Sequence, residues 1–469
     1  LLDPEDQRAF RRLAVFRGGI AVDAAAAVIW ETPITDPLWA LSRLDALVQA
    51  NLLQVAPDPT GEPYFLMLQT IQEFAVETLR SSGEWEESAS NHAHYFASVA
   101  EAADEHYHTQ DVSLWLDRLD RELENFRASI EHFAANTVPS QVGLEMAVAL
   151  WEFLNQRGHE IEARTWLTRL FGNASELHPS LRARALLLLG NSWIGNLEQA
   201  ETFYKHAAAA AREADDEPLQ RSIDGALGVV SLVRGDYDRA VEIGQSLVET
   251  ERRAGTQERL GFALIQLAQS YCGASRFDKA IETIDGANIL QYDPTTVAWL
   301  ELIRGRVLRR AGRIDDALNA LQRSLNGFEA LDARLDAARC HLEIAAALVD
   351  RELSRSLMHI MTANDILAES PDQYTVAEAL DVNAVALATE ERFEEATILM
   401  GATNAWRFSI GAALSAYDQA TIDALAVSIQ SAIGEERYAA ALSNGSELSL
   451  RSAVELARTA IQSPSASPT

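Results

Sequence analysis

Six alanines and one leucine recur along this chain at nearly constant spacing, and that spacing admits few folds. The anchors are Gly158-His-Glu-Ile-Glu-Ala163, Gly195-Asn-Leu-Glu-Gln-Ala200, Gly235-Asp-Tyr-Asp-Arg-Ala240, Ser275-Arg-Phe-Asp-Lys-Ala280, Gly312-Arg-Ile-Asp-Asp-Ala317 and Glu391-Arg-Phe-Glu-Glu-Ala396, and a further unit around Leu357 keeps the phase without the alanine. Successive steps are 37, 40, 40, 37, 40 and 39 residues, close to the length of a helix-turn-helix unit. One such unit cannot bury its own apolar face, so neighbouring units must stack. The glycine or small polar residue heading most anchors suits the end of a first helix, where the backbone turns back. The alanine five residues later suits a second helix whose axis must approach its neighbour closely. Three residues before the alanine, Tyr237, Phe277, Ile314 and Phe393 are expected to plug the gap between neighbours.

In the best units the pattern extends to Leu227-Gly228 with Ala240, and to Leu267-Ala268 with Tyr271 and Ala280. This resembles a tetratricopeptide (TPR) array of slightly long period, an all-α fold of the α-solenoid, or superhelical, class. An ordinary helical bundle with coincidental spacing is the competing reading. In a TPR unit the second, fifth, ninth and twelfth residues of the first helix face a concave groove. Counting back from the anchors, the resemblance assigns Val229 and Leu232 to that groove in one unit, Phe262, Ile265 and Gln269 in the next, and Trp299, Leu302, Arg306 and Arg309 in the one after. The expected surface is apolar with one tryptophan and two cations, suited to a peptide, a protein or an acidic small-molecule inducer. A register shift of one or two residues would instead hide Trp299 between repeats.

Composition bounds the remaining classes. A chain of 469 residues exceeds a single compact core, so several domains or a solenoid are expected. Its two cysteines, Cys272 and Cys340, lie 68 residues apart without a pairing pattern, as in a reducing compartment, and read as buried packing residues. There is no apolar stretch long enough to cross a bilayer and no basic-then-apolar leader, so a cytoplasmic protein that does not engage membranes is expected. The chain opens without methionine inside what reads as a structured segment, as a fragment of something longer would. A net charge of −30 disfavours a phosphate-binding face and, being spread along the array, reads as a solvated outer surface.

The first eighty residues are different. Asp3-Pro4-Glu5 opens a helix with acids at its positive end, running through Phe10, Leu13, Ala14 and Phe16 to a stop at Gly18-Gly19. A second helix is predicted over about Val22 to Ile29, and a third over about Trp39 to Ala50 with Leu41, Leu44, Leu47 and Val48 on one face. Leu52-Leu53-Gln54-Val55, a turn at Pro57-Asp-Pro-Thr-Gly61, and Tyr64-Phe65-Leu66-Met67 read as a β-hairpin. Three helices plus a hairpin make a winged helix. Such modules often read DNA through the third helix, but here that helix carries one base, Arg43, against one acid, Asp45, and residues 1–87 hold six arginines, no lysine and fourteen acids. Direct nucleic-acid binding by this chain is therefore not expected.

Several strings are recognisable. Leu1-Leu-Asp-Pro-Glu-Asp-Gln-Arg8, Phe10-Arg-Arg-Leu-Ala-Val-Phe16, Leu44-Asp-Ala-Leu-Val48 and Met67-Leu-Gln-Thr-Ile-Gln-Glu-Phe-Ala75 resemble the region after the nucleotide-binding (NB-ARC) core of bacterial STAND ATPases, a group that includes AfsR/SARP-type and LuxR-type transcriptional regulators and fusions with nucleotide cyclases. The likeness continues through His92-Ala-His-Tyr-Phe96, Trp115-Leu-Asp-Arg-Leu119, Glu124-Asn-Phe-Arg127, the TPR array and Gly434-Glu-Glu-Arg-Tyr-Ala-Ala440. It implies a winged-helix domain over 1–80, a helical linker over 81–140, about seven TPR-like hairpins over 141–400, capping helices over 401–462 and a disordered tail over 463–469. In such proteins the core binds ATP or ADP, the winged helix packs on that core, and the array senses an inducer or partner and controls self-association.

The chain departs from the family in two places. It contains no Gly-x-x-x-x-Gly-Lys-[Ser/Thr] loop, so no cofactor is expected here, ATP or ADP belonging to an upstream core. Where apoptotic and plant relatives carry Met-His-Asp, this chain reads Met67-Leu68-Gln69, and leucine cannot donate to phosphate. Gln69 and Thr70 remain polar candidates on the edge facing the core, unless they merely cap the next helix. No catalytic or metal site is read: the pairs His92/His94 and His106/His108 are spaced i,i+2, which points them to different helix faces. The expectation is a non-enzymatic sensor arm, monomeric as a fragment; a stand-alone TPR scaffold and the sensor arm of a cyclase fusion are the alternatives.

Overall fold

The computed structural model describes all residues except 1, 30–36, 57–62, 108, 110, 136–140, 173–176, 194, 255–256, 288–291, 369–371 and 463–469. The predicted turn at 57–61, His108 and the tail at 463–469 thus lie outside the described residues. Two compact units are present: one formed by Leu1–Tyr107, Asp111–Phe153 and Glu162–Leu181, the other by His108–Gln110, Leu154–Ile161 and Arg182–Thr469.

The first unit begins with α1 (Pro4–Arg12), whose Asp3 N-cap carboxylate accepts from the Asp6 amide at 2.7 Å, and continues into a 3-10 turn at Leu13–Val15. Then come β1 (Ile20–Ala21), α2 (Val22–Ile29), α3 (Pro37–Gln49), β2 (Gln54–Ala56) and β3 (Tyr64–Leu66). The strands form one antiparallel sheet in the order β1-β3-β2, with Ile20 opposite Phe65 and Val55 on its other side. This is the helix and strand order of a winged helix. The sequence reading captured the hairpin but not β1, a two-residue strand too short for any periodicity. Gly19 is required beside it, because a Cβ there would lie 2.0 Å from the Tyr64 ring.

Five further helices belong wholly or mostly to this unit: α4 (Gln69–Ser82), α5 (Trp85–Asp104), α6 (Val112–Ala135), α7 (Gln141–Ala149) and α9 (Glu160–Gly172); α8 (Trp151–Gln156) spans the division between the units. Asn125 of α6, fully buried, is the polar hub. Its Oδ1 accepts from the amides of Arg17 (3.1 Å) and Gly18 (3.3 Å), and its Nδ2 donates to the Gly19 carbonyl (3.0 Å) and to Glu122 (2.8 Å). His92 of α5 lies 3.3 Å from the same Oδ1 and packs against Phe16 and Phe96. The strings around His92 and Asn125 therefore mark one buried network that ties the turn before β1 to two helices.

The second unit is a series of helical hairpins: α10 (Pro179–Asn191, from Arg182 on) with α11 (Leu197–Glu213), α12 (Glu217–Val233) with α13 (Tyr237–Ala254), α14 (Gln257–Gly273) with α15 (Phe277–Ala287), α16 (Pro294–Arg310) with α17 (Ile314–Ala330), α18 (Arg334–Leu348) with α19 (Leu353–Leu367), and α20 (Gln373–Thr389) with α21 (Phe393–Ile410). Three helices follow: α22 (Ala416–Ile433), α23 (Glu435–Ser446) and α24 (Leu450–Gln462). The fold class is the expected one, all-α with TPR-like stacked hairpins after a winged helix.

The anchors do what their chemistry suggests. Gly235, Ser275, Gly312 and Glu391 each take a left-handed φ between the two helices of a hairpin, at 81°, 57°, 78° and 61°. The next amide then bonds back across the helix end, as Asp236 does to the Ser231 carbonyl at 2.9 Å. Ala200, Ala240, Ala280, Ala317 and Ala396 have no exposed surface. Tyr237 and Phe277 are half-buried, not fully enclosed plugs; Tyr237 lies against the next hairpin where Gly273 leaves room, 2.6 Å from where a Cβ would stand. Gly228 likewise admits Gln266, whose amide donates to the Gly225 carbonyl at 2.8 Å.

Because Ala280 is enclosed, Ala280→Leu should lower stability by about 1–3 kcal/mol, read as a lower urea midpoint; an unchanged midpoint would show that its interface is loose. In the first unit, burial holds the His92 imidazole down at about 4, against an ordinary value near 6.5. The unfolded chain therefore takes up a proton that the native unit refuses, and stability should fall as pH drops from about 6.5 towards 4, by up to roughly 3 kcal/mol. Glu122, raised by burial to about 7, acts in the opposite sense over about pH 4.5 to 7. Hydrogen exchange of the α5 and α6 amides should accordingly be less acid-sensitive in His92→Gln than in the parent.

Candidate ligand groove

The first helices of three successive hairpins, α12, α14 and α16, bring the expected groove residues into one unit. Val229 and Leu232 on α12 are half-buried, as are Gln269 on α14 and Trp299, Arg306 and Arg309 on α16. Phe262 is 41% exposed. Ile265 and Leu302 are 7% and 0% exposed, so both are packing residues that offer a ligand almost no surface. Helices packed on two sides bury a wider stripe than a count of groove positions allows for.

Trp299 stands edge-on to Phe328, with ring centroids 5.7 Å apart, and the Arg339 guanidinium of α18 lies 5.4 Å from its ring centre. Trp299 is half-buried, between the open groove position and full enclosure between repeats.

Arg306 and Arg309 are not the free cations that were expected. Their Nε groups donate to the two oxygens of Glu343 on α18, at 2.5 and 2.8 Å, and Arg306 also reaches Glu378 of α20 at 3.5 Å. Burial alone would raise the Glu343 carboxyl, but the charges of Arg309, Arg306 and Arg310 outweigh it and hold it down at about 2. Arg339 is paired with Asp336 and Asp372 (2.7 Å to the latter) and donates to Thr375 at 3.0 Å. Arg407 of α21 forks onto Asp381 of α20. A buried arginine without a carboxylate is costly, so the hairpins supply one for each.

Glu343, Arg339, Tyr374, Trp406 and Arg407 were not singled out from the sequence. Tyr374 and Trp406 pack at 6.3 Å, and the Trp406 indole donates to Gln373 at 2.9 Å. No local signal marks Glu343, because its pairing with Arg306 and Arg309 arises only from the stacking of α18 on α16.

In the first unit, Gln69 and Thr70 are exposed in the first turn of α4; the N-cap is Leu68, which makes no side-chain cap bond, and Gln69 donates to Glu73 at 3.3 Å. Arg43 on α3 is engaged by Asp3 and Asp6 at 3.3 and 3.0 Å. His94 is exposed while His92 is buried, and His106 stacks on Trp115 at 4.9 Å. Among the described residues no three His, Cys, Asp or Glu side chains form a metal-sized cluster, and no helix is long and apolar enough to cross a membrane.

No family model matches the chain. Over 214 residues, 46% of its length, it is 29% identical to proteins provisionally named HTH-type transcriptional regulators in Mycobacterium bovis and Mycobacterium tuberculosis. The match spans about a fifth of their length, 21%. Among solved structures it is similar to a STAND signal-transduction ATPase with a tetratricopeptide repeat sensor from Pyrococcus horikoshii, at 14% identity and TM-score 0.44, covering 90% of this chain and 65% of that one. It is also similar to a Rap protein complexed with competence and sporulation factor, at 11% identity and TM-score 0.49, covering 80% and 100%.

Removing the carboxylate that Arg306 and Arg309 share should be costly. Glu343→Gln is expected to destabilise the second unit by about 3 kcal/mol in urea, since it takes the shared counter-charge from two half-buried guanidinium groups, of which only Arg306 keeps a second carboxylate, Glu378. In the parent this contribution is present above about pH 4.5 and lost as pH falls towards 2. A variant as stable as the parent would mean that the pair is solvated.

Proposed function

We propose that this chain is the regulatory and sensor arm of a STAND-type signal-transduction ATPase acting as a transcriptional regulator, of AfsR/SARP or LuxR type. In this reading the hairpin array takes a protein, peptide or small-molecule inducer in the groove along α12, α14 and α16, and so controls self-association of the longer protein. The observation that carries it is the presence, in one chain, of a winged helix and a hairpin array, together with 29% identity to HTH-type regulators. A tethering scaffold has no use for a winged helix, which makes the stand-alone TPR scaffold the weaker alternative; a cyclase fusion would differ only in its effector.

The first unit's role follows from its charge. Arg43, the base on the third helix, is held by Asp3 and Asp6, which leaves that helix without an uncommitted cation for phosphate. We assign the winged helix to contact with its own NB-ARC core, through the edge that carries Gln69 and Thr70. On this reading the chain by itself is monomeric and cytoplasmic, binds neither ATP nor ADP, has no enzymatic activity and does not touch nucleic acid or membrane.

In the longer protein, Phe262→Ala and Trp299→Ala should each abolish the response of a target-promoter reporter to its inducer while leaving the array folded by circular dichroism. A normal response from both would place the ligand elsewhere. Calorimetric titration of this chain alone with ADP should give no heat of binding, and micromolar affinity would overturn the assignment of nucleotide to a separate core.

A further inference from the structure

The rim of the groove, where first helices end and second helices begin, is already occupied by a segment of the same chain. Residues 411–418, the link after α21 together with the first turn of α22, return to hairpins more than a hundred positions earlier. The Ala413 amide donates to the carbonyl of Val233, the last residue of α12, at 2.9 Å, and so takes one of the carbonyls that a helix end leaves without an internal partner. Gly235 makes this approach possible, since a Cβ there would lie 2.8 Å from that of Ala413. Tyr417 meets Phe277 edge-on, with ring centroids 6.1 Å apart, and the Arg310 guanidinium lies 5.8 Å from the Tyr417 ring centre. Arg310 closes the contact with a 2.9 Å ion pair to Asp418, whose carboxylate also accepts from Ser415 at 2.6 Å.

The helix that carries this segment is weakly held. Of the eighteen residues of α22 only Ile422 and Ile429 are fully buried; Leu425, Ala426 and Ile433, with Leu414 ahead of the helix, pack half-buried against the core, and Val427 is 65% exposed. The other terminal helices are anchored independently: α24 buries Leu450, Ala453, Val454, Ala457, Ala460 and Ile461 in the core of the last hairpins, while α23 meets α21 at backbone distance, a Cβ on Gly445 falling 2.0 Å from the Ile398 carbonyl. A segment fixed by polar and aromatic points and backed mainly by half-buried apolar side chains is held less firmly than α24, and segments of that kind open at lower local free energy.

We propose that residues 411–418 are a displaceable internal occupant of the groove rim, and that the partner which replaces them is a peptide segment of the same chemistry and shape: a short non-helical run of small residues leading into a helical turn whose aromatic–acidic pair seats on Phe277 and Arg310. The proposal deepens the sensor reading above and rests on it. The rim supplies one free helix-end carbonyl, one aromatic face and one cation, and a segment with a backbone N–H, a tyrosine-like ring and a carboxylate satisfies all three. Aromatic and arginine side chains are the types that most often dominate such interfaces.

The test uses the whole chain and a synthetic peptide of residues 411–420, Gly-Ala-Ala-Leu-Ser-Ala-Tyr-Asp-Gln-Ala. In the double variant Tyr417→Ala, Asp418→Ala, hydrogen exchange of the α22 amides should quicken by about tenfold or more while α24 stays protected. The peptide should bind that variant at least about tenfold more tightly than the parent, and binding should be lost when its aspartate is replaced by asparagine or when Arg310→Gln is added. Unchanged exchange in α22, equal peptide affinity for parent and variant, or no binding to either would overturn the proposal. If the double variant does not fold, Asp418→Asn alone is judged by the same two measurements. Loss of inducer response in Trp299→Ala without peptide exchange would sink the internal occupant but leave the sensor reading intact, whereas the reverse pattern would do the opposite.

Discussion

Everything in the second unit depends on helices being able to approach at small residues. Ala240, Ala280, Ala317 and Ala396 lie where two helix axes come together and expose nothing, and glycines on α13 and α16 extend the same rule. A Cβ on Gly305 would stand 2.4 Å from Leu321, and one on Gly244 would press on the backbone of Leu267 at 3.1 Å. A larger residue at any of these points separates a pair of helices, and because each hairpin buries its apolar face only against its neighbours, the separation passes to the next interface. The left-handed residues between helices, Gly235, Ser275, Gly312 and Glu391, set the direction in which each hairpin folds back.

Close stacking has an electrostatic consequence. It draws the polar positions of α16, α18, α20 and α21 out of water, where an isolated guanidinium or carboxylate is expensive. The answer is mutual pairing, in which Glu343 is shared by Arg306 and Arg309, Arg339 sits between Asp336 and Asp372, and Arg407 is forked onto Asp381. If the groove is the ligand site proposed above, its committed cations leave fit and the side chains of Phe262 and Trp299 to select the ligand, and an acidic ligand would gain a cation only by displacing a carboxylate. Arg310 is the arginine whose partner, Asp418, comes from a weakly packed helix. That asymmetry makes the rim the place where exchange is easiest.

The first unit solves a different problem with the same economy of polar groups. A single amide side chain, Asn125, satisfies the amides of Arg17 and Gly18 and the carbonyl of Gly19, all in a turn that would otherwise bury unpaired backbone. Holding that turn sets the two residues of β1 beside β3 and completes the sheet. The acids Asp3 and Asp6 neutralise Arg43, the one base of the third helix.

The sequence by itself determined the repeat period, the helix boundaries around each anchor and the burial of the alanines, because these follow from local turn geometry and from which residues are small. It also determined the three helices and the hairpin of the first unit. The tertiary structure alone decided which groove positions remain accessible, since Ile265 and Leu302 are covered by neighbours that no single repeat reveals. It decided too that Arg306 and Arg309 are neutralised by a glutamate some 34 to 37 residues away, and that residues 411–418 return to the rim of hairpins built far earlier in the chain. Ion pairs and backbone contacts between distant segments leave no periodic trace, because they depend on where stacking places a side chain and not on the spacing that makes the helices stack.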